Sequence, residues 1–336
     1  MSFKVGVTRD LMTEGGGPCF APAAFDELAK AGIPIAWEWL PETLVAITPE
    51  IAAAYDGLHV NLPRVTQASV ARADCRVRII ARNGVGYDSV DVPAMTARGI
   101  LVTNTPVAVR RPVAVATLTL LFALAGRLFA KDRLVRTGRW DDRVEHMGLG
   151  LTGRTLGLLG AGSIGQEVAR LASPFFGRVI AADPYVSDAT VAATGATRVP
   201  FDTLLAESDF LVACCLLTPE TRHLMNAAAF ARMRRSAFFV NVGRGPIHDE
   251  AALAAALRAG QIAGAGLDVT EVEPIPADSP LIGMDQVILT PHALCWTDEC
   301  FEDIARTALR SIADVAAGRR PAHLVDPAAW DQRRPA

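Results

Sequence analysis

The 336-residue sequence holds six cysteines (Cys19, Cys75, Cys214, Cys215, Cys295 and Cys300), yet it has no C-x-x-C pair and no Cys/His cluster at zinc spacing. In so long a chain these read as the reduced thiols of a cytoplasmic protein, with no metal site. Basic residues are not in excess: 33 Lys and Arg stand against 36 Asp and Glu, for a net charge of −3. Nucleic acids and anionic membranes recruit positively charged surfaces, so neither is an expected partner. The opening "MSFKVGVTRD" lacks the apolar stretch of a signal peptide and runs straight into a strand pattern. The most apolar segment, "VAVATLTLLFALA" (113–125), is too short to span a bilayer and is closed by Arg110, Arg111 and Arg127. It reads as a buried helix. Low-complexity tracts and short-period repeats are absent. Histidine is scarce as well, at six residues, and one of them, His292, directly follows a proline at the end of the apolar run "VILTP".

What is present is a large apolar fraction, 51% of residues, in a chain long enough for two domains. Short apolar runs alternate with helical patterns, the signature of an α/β fold with parallel strands. The first series comprises "KVGVT" (4–8), "GLHVNL" (57–62), "VRIIAR" (77–82) and "ILVTN" (100–104), separated by helix-length segments such as "APAAFDELAKAG" and "TQASVARA". A second series begins near residue 155 with "TLGLLG", "RVIAADP", "DFLVACC", "AFFVNVG", "IAGAGLDV" and "QVILTPH". A long helix starting near Pro112 joins the two. After His292, "DECFEDIARTALRSIADVAAG" carries a helical apolar period that Gly318 would cap. The expected layout is discontinuous: one α/β domain over 1–105, completed by the C-terminal segment 296–336, and a second over 106–295, with an active crevice between them.

"TLGLLGAGSIGQEVARLA" contains Gly160-x-Gly162-x-x-Gly165, immediately after an apolar strand and opening a helix. Three glycines at this spacing permit a tight turn, a close approach to a pyrophosphate, and tight helix–strand packing. The helix start adds free N–H groups and the positive end of its dipole. The next strand, "RVIAADP", ends in Asp183. A carboxylate there accepts hydrogen bonds from the adenosine ribose hydroxyls and repels a 2′-phosphate; the alternative is that Asp183 only starts an Asp-Pro turn. The register of strand, loop, helix, strand and acid favours a dinucleotide site, with NAD preferred over NADP because "AADPY" offers no arginine.

Three strands of the second series end near ionisable groups. Arg244 lies between two glycines in "NVGRGP", Asp268 and Glu273 lie in "GLDVTEVEPIP", and His292 lies in "LTPHA". In open α/β sheets, ligands bind beyond the carboxyl ends of the strands. An arginine can clamp a carboxylate bidentately, a histidine can pass a proton near neutral pH, and a glutamate can orient the imidazole and favour its charged form. Taken singly, each has a plainer reading: a solvated turn arginine, a capping glutamate, a structural loop histidine.

At this point the chain resembles the D-isomer-specific 2-hydroxyacid dehydrogenase family over nearly its whole length. The resemblance rests on "RNGVGYDSVDV" (82–92), "GILVTNTP" (99–106), "LTGRTLGLLGAGSIGQEVA" (151–169), "NVGRGPIHDEAAL" (241–253), "GAGLDV" (264–269), "EPIPADSPL" (273–281) and "LTPHA" (289–293). It implies two doubly wound parallel-sheet domains, the second a Rossmann NAD-binding domain, and a catalytic triad of Arg244, Glu273 and His292. It implies Val85 and Gly86 beside the substrate carboxylate. It implies NAD contacts from Gly160, Gly162, Ser163, Ile164, Gly165, Asp183, Val242, Gly243 and Asp268, with Cys215 touching the cofactor only through its backbone. The chain departs from the family pattern at Thr117, at "ACCLLTPET" (213–221) and at Trp296, which stands where small residues are common and is expected to shape the substrate pocket. The implied activity is hydride transfer between NAD(H) and a small 2-oxo or D-2-hydroxy acid, of glyoxylate, hydroxypyruvate or phosphoglycerate type, by a homodimer. An NAD-sensing regulatory protein of co-repressor type on the same scaffold is the alternative, and phosphite is another substrate to weigh. Arg110 and Arg111 are solvated, or one of them receives a second anionic group of the substrate, with Arg64 as a further basic contact.

Overall fold

The computed structural model describes residues 2–334. The chain divides into two compact units: one runs to Val109 and resumes at Trp296, and the other is Arg110–Cys295.

The first unit holds β1 (Phe3–Val7), β2 (Ile35–Trp39), β3 (Gly57–Val60), β4 (Ile79–Arg82) and β5 (Leu101–Thr103) in the order β2-β1-β3-β4-β5. All neighbouring pairs are parallel. A parallel sheet is covered on both faces, so its central strands are almost wholly apolar. One face packs Val5, Ile79 and Leu101 on Phe301, Ala305, Ala308, Leu309 and Ile312 of the long C-terminal helix Asp298–Ala316. The other face packs Val60 and Ile80 on Met95 and Ile100. That helix starts where the Thr297 hydroxyl accepts from Cys300 N at 3.1 Å, and it stops at Gly318, whose φ of 73° suits a residue without Cβ.

The second unit has seven parallel strands: β6 (Thr155–Leu159), β7 (Arg178–Ala182), β8 (Thr197–Arg198), β9 (Phe210–Ala213), β10 (Phe238–Asn241), β11 (Gly264–Leu267) and β12 (Val287–Leu289). Their order is β12-β11-β10-β9-β6-β7-β8. The chain moves outward from β6 to β8 and then returns to build β9 on the other side of β6. The topological switch point therefore lies between β6 and β9, where a ligand crevice forms at the carboxyl ends. The apolar segment 113–125 lies within the helix Arg110–Gly126, with Leu120, Leu121 and Leu124 buried in the core of this unit. At Gly266 of β11 an added Cβ would meet Leu124 at 3.1 Å, so glycine lets this helix lie close on the sheet. Among the described residues no single helix is long and apolar enough to cross a membrane.

Local differences from the sequence reading have clear causes. The strands β2 and β8 were not anticipated. Both are edge strands with mostly exposed side chains, so neither shows an apolar run. "TQASVARA" forms one 3-10 turn, Ala68–Val70, in place of a helix. The Ser69 hydroxyl there accepts from Thr66 N at 3.0 Å, a local bond that competes with helical pairing.

Candidate active site

The loop from β6 into the helix Ser163–Ala172 is shaped by contacts that only glycine permits. Gly160 has φ 105°, and a Cβ there would lie 2.8 Å from the Cys215 backbone. At Gly165 a Cβ would lie 2.2 Å from the Gly160 carbonyl oxygen. Gly162 faces nothing within 4 Å, which leaves its backbone open to a ligand. The first side-chain-independent bond of the helix is Gln166 N to Gly162 O, at 2.9 Å. The N–H groups of Ser163, Ile164 and Gly165 thus remain without acceptors among the described residues, as a pyrophosphate site requires. Cys214 and Cys215 follow β9 and floor this loop, the Cys214 thiol donating to Gly160 O at 3.2 Å. Burial raises both thiols, Cys215 to about 11, which keeps them protonated packing groups at neutral pH. Val242 and Gly243 continue β10 on the same side, and Val242 N bonds Ala213 O at 3.1 Å.

Asp183 stands at the end of β7, and its carboxylate is tied into the loop. Oδ2 accepts from Ala161 N at 2.8 Å, and Oδ1 from Tyr185 N at 2.8 Å and Val186 N at 3.1 Å. With three donors in place, Oδ2 keeps a lone pair open to a ribose hydroxyl. The stretch "AADPY" holds no arginine, but one approaches from the neighbouring strand. Arg198 on β8 donates from Nε to the Asp183 carbonyl at 2.9 Å and pairs with Asp188 at 2.9 Å. Strand pairing between β7 and β8 brings it there, and a two-residue edge strand gives no periodic signal by which to foresee it.

Arg244 follows β10 in a loop organised by buried Asn241. The Asn241 amide donates to Arg244 O and to His248 Nδ1, each at 2.9 Å, while its oxygen accepts from Gly243 N at 3.0 Å. Burial pushes His248 down to about 4, so it is neutral and serves the loop as an acceptor. On the far side Gly245 lies against the Thr270 carbonyl, where a Cβ would come within 1.8 Å. His223 closes the same assembly, its Nε2 lying 2.6 Å from Glu271 Oε1. Neither Asn241 nor this second His–Glu pair was singled out from sequence; an isolated histidine in "ETRHLM" carries no local signal.

His292 and Glu273 meet directly: Nδ1 lies 2.8 Å from Oε2. Glu273 Oε1 also accepts from Thr270 N at 3.2 Å. Burial alone would raise the Glu273 carboxyl, but the His292 contact, Thr270 N–H and the charge of Arg244 together hold it below the usual carboxylate range. Gly245, next to Arg244, packs on the Thr270 carbonyl, and Thr270 N holds Glu273, so the loops that carry Arg244 and Glu273 are adjacent within the second unit. His292 has φ 53°, an uncommon conformation for a side chain of its size. Asp268 holds it there. Its buried Oδ1 accepts from Thr290 Oγ1 at 2.6 Å and from Ala293 N and Leu294 N at 3.1 Å each, bracketing the histidine.

Val85, Gly86 and Trp296 belong to the first unit. Val85 and Gly86 follow β4. The Val85 carbonyl is taken by Asn104 Nδ2 at 2.8 Å, while the N–H groups of Val85 and Gly86 find no acceptor among the described residues. Trp296 is half exposed and packs edge-on against Phe301, ring centroids 4.8 Å apart. Arg111 pairs with Glu167 at 2.7 Å, and Arg110 contributes to holding that carboxyl low. Arg111 is therefore engaged by Glu167 inside the second unit.

The chain is similar to known proteins. Residues 118–293 match the family described as "D-isomer specific 2-hydroxyacid dehydrogenase, NAD binding domain". A glyoxylate reductase of Korarchaeum cryptofilum is 40% identical over 81% of this chain and 82% of its own length. A D-3-phosphoglycerate dehydrogenase of Archaeoglobus fulgidus is 38% identical over 79% of this chain but only 50% of its own length. Among solved structures, a D-lactate dehydrogenase with NAD+ from Lactobacillus jensenii superposes with a TM-score of 0.75 at 26% identity, covering 96% of this chain and 100% of the other. The chain belongs to the D-isomer-specific 2-hydroxyacid dehydrogenases and is an NAD-dependent oxidoreductase of that family.

Proposed function

We propose that the chain interconverts a short, singly charged 2-oxo acid, of glyoxylate or hydroxypyruvate size, and its D-2-hydroxy acid. The observation that carries the site assignment is the 2.8 Å contact between His292 Nδ1 and Glu273, which leaves Nε2 as the nitrogen that exchanges a proton with substrate oxygen. Glu273 orients the ring and balances its charge. Arg244 and the N–H groups of Val85 and Gly86 hold the substrate carboxylate. NAD(H), when bound, gives or takes the hydride. The glycine loop, the open N–H groups of Ser163 and Ile164, and Asp183 fit its pyrophosphate and ribose; Cys215, Val242, Gly243 and Asp268 complete the wall, and Trp296 limits substrate length. The engagement of Arg111 by Glu167 argues against a second anionic group on the substrate. The test is kcat/KM with NADH for glyoxylate, hydroxypyruvate and phosphohydroxypyruvate. The unphosphorylated acids are expected to lead, and a preference for the phosphorylated one overturns the substrate reading.

Cofactor choice gives a second test. Asp183→Ala removes the carboxylate that opposes a 2′-phosphate while Arg198 stays nearby on β8. The ratio of kcat/KM for NADPH to that for NADH should rise by at least about tenfold, the equivalent of ~1.4 kcal/mol. The double variant with Arg198→Ala should lose that gain. An unchanged ratio in Asp183→Ala rules out its role in discrimination.

The working form is a homodimer built on the helices Arg110–Gly126 and Leu128–Arg136. Phe122, Leu128, Phe129 and Val135 on these helices, and Trp140 and Val144 in the 3-10 segment Trp140–His146 that follows, are all exposed, an apolar density that suits a protein interface. Light scattering after gel filtration should give twice the 35.7 kDa chain mass, and Phe129→Asp with Trp140→Asp should give the single chain. A wild-type monomer disproves the assignment. A reducing cytoplasm suits the six cysteines, which form no disulfide among the described residues.

A further inference from the structure

Three arginines of the first unit line a cavity of about 280 Å3 that the dehydrogenase chemistry does not use. Arg78 enters from the start of β4, and Arg333 and Arg334 enter from the C-terminal segment. Leu101, Val315 and Trp330 supply an apolar wall. The cavity lies where β4 and β5 begin, so it is at the opposite end of the sheet from Val85 and Gly86.

Several arginines of this unit meet a carboxylate: Arg306 and Arg310 share Glu27, Arg319 pairs with Asp314, and Arg76 holds Asp56 at 2.7 Å. The cavity arginines instead bond backbone carbonyls. Arg78 reaches Val315 O at 3.4 Å, Arg333 reaches Trp330 O at 2.7 Å, and Arg334 reaches Cys75 O at 2.6 Å and Arg98 O at 2.8 Å. None of the three makes an ion pair among the described residues. The Arg78 Nε is buried without a hydrogen-bond partner. Burial lowers the Arg78 guanidinium, Asp56 opposes this, and the positive charge of Arg333 adds to the lowering. Arg333 lies over the Trp330 ring at 3.8 Å, which holds its guanidinium at the cavity wall.

The partly buried Arg78 and Arg334 and the exposed Arg333 face one small cavity with no carboxylate partner among the described residues, and the guanidinium fork matches the oxygens of a tetrahedral anion. We propose that this cavity is a binding site for a phosphate dianion, either inorganic phosphate or the phosphate group of a small ester, separate from the NAD and substrate sites. Three terminal oxygens allow each arginine one charge-assisted contact, and the apolar wall accommodates the short carbon body of an ester.

The experiment is isothermal titration of the full chain, saturated with NADH so that the glycine loop is occupied, with inorganic phosphate, glycerol phosphate and succinate at constant ionic strength. Saturable one-site binding of phosphate or its ester is expected, and Arg333→Gln should weaken it about tenfold while NADH affinity stays unchanged. Arg78→Gln should do the same, and circular dichroism reports whether that less exposed variant is folded; the Arg333 variant carries the test if it is not. Tighter binding of glycerol phosphate than of inorganic phosphate identifies the ester as the ligand class, and the reverse identifies the free ion. Absence of saturable binding, equal affinity in the Arg333→Gln protein, or binding of succinate alone overturns the proposal.

Discussion

His292→Ala is expected to lower kcat by roughly two to four orders of magnitude, the usual range for loss of a positioned general acid–base, while NADH binding is retained. The imidazole is held by Glu273 at 2.8 Å and by the Asp268 contacts that bracket its loop, so the geometry is prepaid before substrate arrives. Stopped-flow fluorescence of NADH separates the two effects: cofactor binding should persist, and single-turnover oxidation of NADH should slow. Near-normal turnover would remove His292 from proton transfer. The companion variant Glu273→Gln takes away the negative charge beside the ring. The imidazolium then loses its partner, and the pH at which reduction declines should move down. In the parent protein the Glu273 carboxyl lies below its ordinary range, so the negative charge that supports the ring is fully present above that range and is lost as pH falls through the lowered value.

A single methyl at Gly245 should be nearly as damaging, for a steric reason. An added Cβ would lie 1.8 Å from Thr270 O, 2.1 Å from Thr270 C and 2.6 Å from Glu271 N, all backbone atoms that cannot rotate away. Either the Arg244 loop or the 270–273 loop must move. The structural cost is expected at about 1–3 kcal/mol, typical of overpacking, with a matching fall in Tm. Displacement of the 270–273 loop also carries Glu273 away from His292, since Glu273 is fixed through Thr270 N. Misplacement by about 1 Å can reduce turnover a hundredfold. Thermal unfolding and kcat measured together decide the matter: Gly245→Ala with unchanged Tm and kcat would show that the two loops do not meet in this way.

Much of the architecture was written in local patterns. The central strands are buried on both faces and read as continuous apolar runs, so β3, β4, β6, β9 and β10 were visible. The edge strands β2 and β8 bury little and were not. The glycine loop announced itself because its spacing follows from sterics that act over six residues. Arg198 could not, because it reaches Asp183 only through strand pairing.

The sequence by itself determined the α/β class, the parallel strands, the dinucleotide loop and the residue types that the chemistry needs. These depend on periodicity and on backbone conformations that neighbouring residues dictate. The tertiary structure alone decided which of those residues meet. Glu273 and His292 are 19 residues apart and touch because β11 and β12 are neighbours in the sheet. Asp268 holds the loop of His292, Asn241 shapes that of Arg244, and Arg111 is spent on Glu167, 56 positions away. Contacts of that range are fixed by strand order and by helix packing on the sheet, and no short stretch of sequence encodes either.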